Sequence, residues 1–298
     1  MKETNKPLRI LHLSDIHIHT QLRHMKWHKW FSKRAIGAIN LLRGRAKYFD
    51  QAQEKMEALI RFKQAQDIDL IIHTGDYTAL GLESELKLSK QIVEPLMDPS
   101  SAYITVPGNH DIYVSESKSH DRFSHYFNKV LQSDMPQYSS DGNWPLVRLI
   151  GKDTAVIALN SSRPNPWPWR SNGHISQEQL TSFKILLQDD VLKERFIFII
   201  THYAVKLPNG ENDTKLHRLT NAKEFIDIAN TVSKGAMLCG HVHQTYRVKT
   251  DDMQQELFCA GSATMEGREG FWIYELKEGQ IKADRVYWDN GKYSIQAQ

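Results

Sequence analysis

Val106-Pro107-Gly108-Asn109-His110-Asp111 follows an apolar run of strand length, 101–106. Its proline and glycine are typical of a chain that leaves a strand and turns. An amide, an imidazole and a carboxylate come directly after that turn. Polar side chains at the exit of a buried strand are held by a rigid element, and functional residues concentrate in such positions. The stretch therefore predicts a functional site at a strand end, and the alternation of strand and helix patterns along the chain predicts an α/β layered fold.

Four further motifs share this placement, because each follows a short apolar run. They are Asp15-x-His17, Gly75-Asp76, His202 and Gly240-His241-x-His243. Residues two apart share a face of an extended chain, so each x-separated pair is expected to point to one side. Carboxylates and neutral imidazoles suit manganese, iron and zinc, whereas a thiolate site would need cysteines that the motifs lack. The set predicts a site for two metal ions.

Length and composition indicate one globular domain over residues 1–298, since 40% of the residues are hydrophobic and no repeat is present. The N-terminus has no apolar core of a signal peptide, and no apolar run approaches about 18 residues. Cys239 and Cys259 are isolated within apolar runs, which favours buried, reduced thiols. These features predict a cytoplasmic protein.

Residues 21–49 differ from the rest of the chain, because they contain eight lysines and arginines and no acidic residue. Apolar residues at spacings of three and four predict an amphipathic helical insertion over about 25–46 with a basic opposite face. They are Trp27, Trp30, Phe31, Ala35, Ala38, Ile39 and Leu42. Two interpretations are open. The helix packs on the domain with a solvated basic face, or it lies on an anionic membrane surface at the inner face of the membrane.

Strand-like runs near 244–249, 257–260, 271–276 and 281–288 make the C-terminal part rich in sheet. We expect these strands to form a second sheet that packs on the first.

The five motifs, in this order, resemble those of the calcineurin-like metallophosphoesterase family, and the resemblance spans Asp15 to His243. It implies a four-layer α/β sandwich of two mixed β-sheets flanked by helices, with residues 21–49 inserted after the first strand. It also implies two divalent metal ions, manganese foremost and iron or zinc as alternatives. The implied ligands are Asp15, His17, Asp76 and His243 for one ion, and Asp76, Asn109, His202 and His241 for the other.

The resemblance also implies a catalytic residue, and the sequence itself indicates further residues around it. His110 is expected to face the substrate, where it stabilises phosphate charge or protonates the leaving oxygen, and Asp111 is expected to accept a hydrogen bond from its ring. The glycines Gly108 and Gly240 are expected to permit close turns beside the metals. A loop rich in proline and tryptophan is expected to form a cleft wall. The residues expected to contact substrate are Trp167, Trp169, Arg170 and His174, together with His217 of another polar loop.

The resemblance implies hydrolysis of a phosphodiester or pyrophosphate by a metal-bridging hydroxide. If residues 21–49 meet a membrane, the substrate is a lipid-linked phosphate such as UDP-2,3-diacylglucosamine. The alternative substrates are cyclic nucleotides and glycerophosphodiesters, whose pockets need no apolar helix. Nucleic acid has no supporting motif, and no motif indicates an oligomeric state. A non-catalytic scaffold, as in a retromer subunit that is similar to these enzymes, is disfavoured because every expected ligand type is present.

Overall fold

The computed structural model describes residues 6–21, 27, 33–98, 100–115, 118–165, 167 and 169–296. Within them, two six-stranded sheets pack face to face. The first sheet has, in spatial order, β12 (Lys292–Ile295), β11 (Gln280–Asp289), β10 (Gly270–Lys277), β1 (Leu8–Leu13), β2 (Leu70–His73) and β3 (Ala102–Thr105). The second has β4 (Leu146–Ile150), β5 (Thr154–Ala158), β6 (Phe196–Ile200), β7 (Gly235–Cys239), β9 (Glu256–Cys259) and β8 (Tyr246–Val248).

Parallel strands dominate the half of each sheet that leads to the predicted motifs. In the first sheet β1, β2 and β3 are parallel, with Leu11 opposite Ile71 and Ile71 opposite Tyr103. In the second sheet β5, β6, β7 and β9 are parallel. The carboxyl ends of these strands therefore meet at one edge of the sandwich, where α/β sheets commonly bind ligands.

The C-terminal strands do not form a separate second sheet, so that expectation is wrong. β10 pairs antiparallel with β1, and β11 and β12 continue outward from it as hairpins. Only β8 and β9 of the C-terminal strands join the second sheet. Strand periodicity indicates which residues are extended, but it does not say which strand they pair with.

Alternating side chains explain why β6 is buried on both faces. Phe198 and Ile200 pack into the core between the sheets, whereas Ile197 and Ile199 pack under helices on the outside. All five residues of the strand are buried. Continuous apolar runs of this kind are typical of parallel strands covered on both sides.

Helices cover both outer faces and complete the predicted four layers. The helices on the first sheet's side are α2 (Ala52–Ala65), α3 (Glu83–Val93) and α4 (Lys118–Phe127), and those on the second sheet's side are α5 (Gln177–Leu186) and α6 (Ala222–Ala229). Phe183 of α5 and Phe225 of α6 pack with the outer residues of β6 and β7. The predicted fold class is thereby confirmed. Cys239 and Cys259 are buried free thiols, as predicted.

The insertion after β1 contains α1 (Lys33–Leu42) and a 3₁₀ turn, Arg45–Phe49. The prediction of which α1 residues form the buried face is wrong in part. The buried residues are Arg34, Gly37, Ala38 and Leu41, whereas Ile39 and Leu42 are 41% and 70% exposed. Residues 22–26 and 28–32, which carry part of the predicted helix and three of its cations, lie outside the described residues.

Close backbone approach decides which face of α1 is buried. A Cβ at Gly37 would lie 2.5 Å from a methyl carbon of Leu80 and 2.7 Å from the Tyr113 hydroxyl, so only glycine fits there. The Arg34 guanidinium, predicted on the solvated face, donates instead to the carbonyls of Leu80 and Gly81 at 3.0 and 2.9 Å. In the part of the chain that the structure describes, no helix is both long and apolar enough to span a bilayer.

Candidate metal centre

The motif residues leave the carboxyl ends of parallel strands from both sheets. Asp15 and His17 follow β1, Asp76 follows β2, and Asn109 follows β3. From the second sheet, His202 follows β6, and His241 and His243 follow β7. All seven predicted ligands therefore reach one edge of the sandwich.

Four of these side chains form a first donor group, since Asp15, His17, Asp76 and His243 bring ligand atoms within 4.8 Å of one another. His17 Nε2 lies 2.9 Å from His243 Nε2 and 3.7 Å from Asp76 Oδ2. His243 Nε2 lies 3.1 Å from Asp15 Oδ1. This is the set that the resemblance implies for one ion.

A second donor group adjoins the first through Asp76. His202 Nε2 lies 3.5 Å from Asp76 Oδ2, the same oxygen that faces His17. Asn109 Oδ1 lies 3.1 Å from His202 Nε2 and 2.9 Å from His241 Nδ1. One carboxylate oxygen thus lies between the two groups, as a bridging ligand would require.

The backbone at five of the seven positions is left-handed, although none of them is glycine. The φ angles are 53° at Asp15, 43° at His17, 57° at Asp76, 70° at His241 and 55° at His243. The backbone of the two x-separated pairs is therefore not extended as expected, although Asp15 and His17 do point to one side, with His17 Nε2 3.6 Å from Asp15 Oδ1. His241 lies against Asn109 whereas His243 lies against His17, so the two histidines serve different groups. Strained backbone of this kind clusters at functional sites.

Backbone carbonyls orient two of the imidazoles. His202 Nδ1 donates to the Thr74 carbonyl at 2.7 Å, and His17 Nδ1 donates to the Thr78 carbonyl at 3.2 Å. These bonds place the proton on Nδ1 and direct the Nε2 lone pair into the site. A metal-binding histidine usually donates the N–H of its other ring nitrogen to an acceptor in this way.

Burial keeps the donors in the protonation states that a metal requires. It lowers the pKa of His202, and it holds the pKa of His241 well below its usual range with help from the charge of His202. For Asp15, burial acts to raise the pKa, but His243 and His17 outweigh it and hold the pKa well below its ordinary value. The expected forms are neutral imidazole and ionised carboxylate.

An unpaired buried oxygen supports a cation at this position. Asp15 Oδ1 is buried and receives no hydrogen bond from the described residues, because its approach to His243 lacks hydrogen-bond geometry. An unpaired ionised oxygen in a buried site is costly, and a bound cation would remove that cost. The carboxylate, amide and imidazole donors suit Mn²⁺, Fe or Zn²⁺. The residues present therefore fit two divalent ions.

Asp111 has a different partner from the one expected. Its oxygens accept from the backbone N–H groups of Asp76, Tyr77, Thr78 and Gly108 at 2.8–3.1 Å, and from the Thr78 hydroxyl at 3.1 Å. Burial raises the pKa of the Asp111 carboxyl to about 7, although the hydrogen bonds from these donors act to lower it. The side chain ties the loop after β2 to the loop after β3, so it positions ligands rather than the His110 ring.

His110 lies at the edge of the donor groups and lines a cleft above them. Its Nδ1 donates to the Ala79 carbonyl at 2.5 Å, which replaces the expected bond to Asp111. Its ring centroid is 4.9 Å from that of His17. The backbone N–H of His110 donates to Asp76 Oδ1 at 2.7 Å and orients the shared carboxylate.

Two glycines are required by space rather than by backbone angle. A Cβ at Gly108 would lie 2.1 Å from Asp76 Oδ1, and a Cβ at Gly240 would lie 1.9 Å from the Ser14 hydroxyl. The expectation that these glycines allow close turns is confirmed. Their function is to let the metal-ligand loops touch.

The cleft above the donors has a volume of about 710 Å³. Of the predicted substrate residues, Trp169 and Arg170 line it, and Trp167 stacks on Trp169. His174 does not line it and instead bonds the Thr220 hydroxyl at 2.9 Å, so the structure does not bring it to the site.

Several lining residues were missed. Lys33, Ile36 and Asn40 of α1 line the cleft, and their spacing of three and four is the signal that identifies a shared helix face. Leu216 also lines it from a polar loop, and no sequence pattern marks this residue, whereas His217 of the same loop lines the cleft as expected.

Comparison with known proteins agrees with the type of site that the geometry indicates. The family model described as calcineurin-like phosphoesterase matches residues 8–245. A probable cyclic nucleotide phosphodiesterase of Vesicomyosocius okutanii subsp. Calyptogena okutanii is 24% identical over 236 residues, covering 78% of this chain and 83% of that protein. A probable glycerophosphodiester phosphodiesterase of Arcobacter nitrofigilis is 29% identical over 181 residues, covering 59% of this chain and 57% of that protein.

Among solved structures, a dimetal phosphatase from Danio rerio superposes with a TM-score of 0.64 at 12% identity, and the match covers 94% of this chain and 95% of that one. At this identity the similarity shows a common fold.

Proposed function

The chain belongs to the calcineurin-like phosphoesterase family and is a metal-dependent phosphoester hydrolase, and we propose that its substrate is a phosphodiester of a small organic molecule. The observation that carries this proposal is the single Asp76 oxygen between two donor groups. A shared carboxylate is what two cations need if both are to act on one phosphate.

The donor groups would hold the two ions as the motifs imply. Asp15, His17 and His243 would complete one site with Asp76, and Asn109, His202 and His241 would complete the other. When bound, two divalent ions lower the pKa of water and neutralise phosphate charge. Manganese is our first candidate, with iron and zinc as alternatives, because the donors are oxygen and nitrogen only.

His110 would act on the leaving group. Its Nδ1 is committed to the Ala79 carbonyl, so Nε2 is the atom that would stabilise phosphate charge or hold the proton for the departing oxygen. Asp111 would keep the two ligand loops in register while this occurs. No side chain of the site is required as a nucleophile.

The two relatives are named for action on a cyclic nucleotide and on a glycerophosphodiester, and these are our two candidate substrates. UDP-2,3-diacylglucosamine has no such support. Contact of residues 21–49 with an anionic membrane also stays a prediction, and the docking of α1 on the domain gives the insertion another explanation. Co-sedimentation with anionic vesicles, and its loss with added salt, would test it.

The test of the proposed function is hydrolysis of bis(p-nitrophenyl) phosphate by protein that is stripped with a chelator and reconstituted with Mn²⁺. We expect activity to disappear on stripping and to return with the metal. A competitive screen of 3′,5′-cyclic nucleotides, glycerophosphodiesters and UDP-diacylglucosamine then ranks the substrates. A metal-loaded protein that hydrolyses no phosphodiester would refute the proposed function.

A further inference from the structure

Two walls rise above the donor groups, and neither is made by the metal motifs. One wall is the stripe of α1 formed by Lys33, Ile36 and Asn40. The other is the segment Trp169–Ser171 together with Leu216 and His217. We call these the helix wall and the tryptophan wall.

Both walls present large apolar side chains to solvent. Ile36 is 43% exposed on the helix wall, and Trp169 and Leu216 are 60% and 39% exposed on the tryptophan wall. All three line the same cleft. Single exposed apolar residues are common, but three around one cleft beside a polar centre indicate a surface that a ligand covers.

The tryptophan wall is flat. Trp169 stacks on Trp167 with ring centroids 5.3 Å apart and an angle of 26° between the planes. Trp167 is not part of the cleft lining, so it supports Trp169 from outside the cleft. A ring that is held in this way offers its other face for stacking, at little cost in side-chain entropy.

A lysine joins the two walls and connects them to the centre. Lys33 Nζ donates to the Arg170 carbonyl at 2.8 Å and lies 4.8 Å from the centre of the Tyr113 ring. Tyr113 in turn stacks on His110 with centroids 5.2 Å apart. A direct hydrogen bond therefore joins the two walls. The positive charge of Lys33 lies over the Tyr113 ring, which stacks on the histidine proposed to face the substrate.

We propose that the space between Ile36 and Trp169 is a subsite for a planar aromatic substituent of the phosphodiester, so that residues of the helix insertion and the tryptophan wall determine substrate specificity. An aromatic ring would stack on Trp169 and cover Ile36, whereas a glycerol group has no apolar face to bury. The assignment rests on the proposed function, because the phosphate must lie over the donor groups for its substituent to reach the walls.

The test uses two inhibitors that cannot be hydrolysed and that match in size and charge, benzylphosphonate and cyclohexylmethylphosphonate. Competition against bis(p-nitrophenyl) phosphate gives their inhibition constants, and calorimetry on the Mn²⁺-loaded protein gives their affinities without turnover. We expect benzylphosphonate to bind several-fold more tightly. Trp169→Leu should weaken it about tenfold and abolish the preference, whereas Trp169→Phe should retain it.

Ile36→Ser tests the opposite wall and should also reduce the preference. Its matched control is Leu42→Ser, which removes a 70% exposed apolar side chain from the same helix outside the cleft lining and should leave both constants unchanged. Equal affinities for the two phosphonates in the wild type, or an unchanged preference in Trp169→Leu, would overturn the subsite.

Failure of the proposed function gives a different result. If no phosphodiester is hydrolysed but calorimetry still shows a preference that depends on Trp169, the subsite stands and the reaction assignment fails. If hydrolysis proceeds and the ring preference is absent, the reaction assignment stands and the subsite fails.

Discussion

The floor of the cleft, formed by the metal-ligand loops, and the two walls above it are built in different ways. Most floor side chains are buried, His241 and His243 are half-buried, and five of the seven predicted ligands lie on left-handed backbone. Asp111 ties the floor loops together, because four of its five hydrogen bonds cross from the loop after β3 to the loop after β2. The walls present exposed side chains, and the bond that joins them runs from Lys33 to the Arg170 carbonyl.

From this difference we expect the floor to carry out the reaction and the walls to select the substrate. Left-handed backbone costs of the order of 1 kcal/mol for each non-glycine residue, and only the surrounding contacts can hold it in place. A change in the floor should therefore affect metal binding and turnover together. A change in the walls should alter which substrate binds and leave the metals in place.

The largest effect is expected for Asp76→Asn in the floor. An amide at the shared position cannot bridge two cations as a carboxylate does, so kcat for bis(p-nitrophenyl) phosphate should fall at least about 10³-fold. Asp213→Asn, which alters an acid that lines the cleft outside the motifs, should change kcat less than about tenfold. Similar losses in the two variants would show that the shared carboxylate is no more important for turnover than another acid in the cleft.

The next effect is expected for His110→Ala, which removes the imidazole that we propose faces the substrate but none of the predicted metal ligands. Turnover should fall by about 10² to 10⁴ for a diester with a poor leaving group, and less for p-nitrophenolate, which needs no proton. Metal content should not change. His174→Ala, at a histidine outside the cleft lining, is the control and should have normal kinetics. Equal losses for good and poor leaving groups would argue against a general acid.

A stability effect is expected for Asp111→Asn. The amide nitrogen cannot accept hydrogen bonds, so buried backbone donors lose their partner, and the free energy of unfolding should fall by about 1–3 kcal/mol. Urea denaturation of the metal-free protein measures this directly, with the exposed Asp251→Asn as control. The same unfolding midpoint in both variants would show that Asp111 does not hold the floor loops.

The smallest effect is expected for Lys33→Met in the helix wall. Burial lowers the pKa of Lys33 to about 8, so its charge is present below that pH and is lost above it. The KM of the variant should exceed that of the wild type by about fivefold at low pH, and the ratio should approach one as the pH rises through 8. Taking the ratio cancels other titrations that the two proteins share. A ratio independent of pH would contradict an electrostatic function for this lysine.

The sequence predicted the floor well because chemistry and strand ends constrain it. Seven ligand residues follow predicted strands, and all seven converge. The partner of Asp111 could not be predicted, because its hydrogen bonds cross between loops 30 or more residues apart. Left-handed backbone at Asp15 or His243 leaves no mark in the sequence either.

The walls were predicted less well, because their form depends on docking. The apolar stripe of α1 placed Ile39 and Leu42 inside, but the contact at Gly37 and the hydrogen bonds of Arg34 turned a different face to the domain. Packing can override hydrophobic periodicity when a glycine lets two elements approach closely. Pairing of β10 with β1 was missed for a similar reason, since it joins residues 260 or more positions apart.

Metal stoichiometry tests the shared position of Asp76 most directly. After reconstitution with Mn²⁺ and removal of free ions, the metal-to-protein ratio is measured by mass spectrometry for the wild type, Asp76→Asn, His17→Ala and Asp213→Asn. We expect two ions in the wild type and in Asp213→Asn, about one in His17→Ala, and few or none in Asp76→Asn. A wild type that binds one ion, or an Asp76→Asn variant that keeps both, would contradict a floor built around one shared carboxylate.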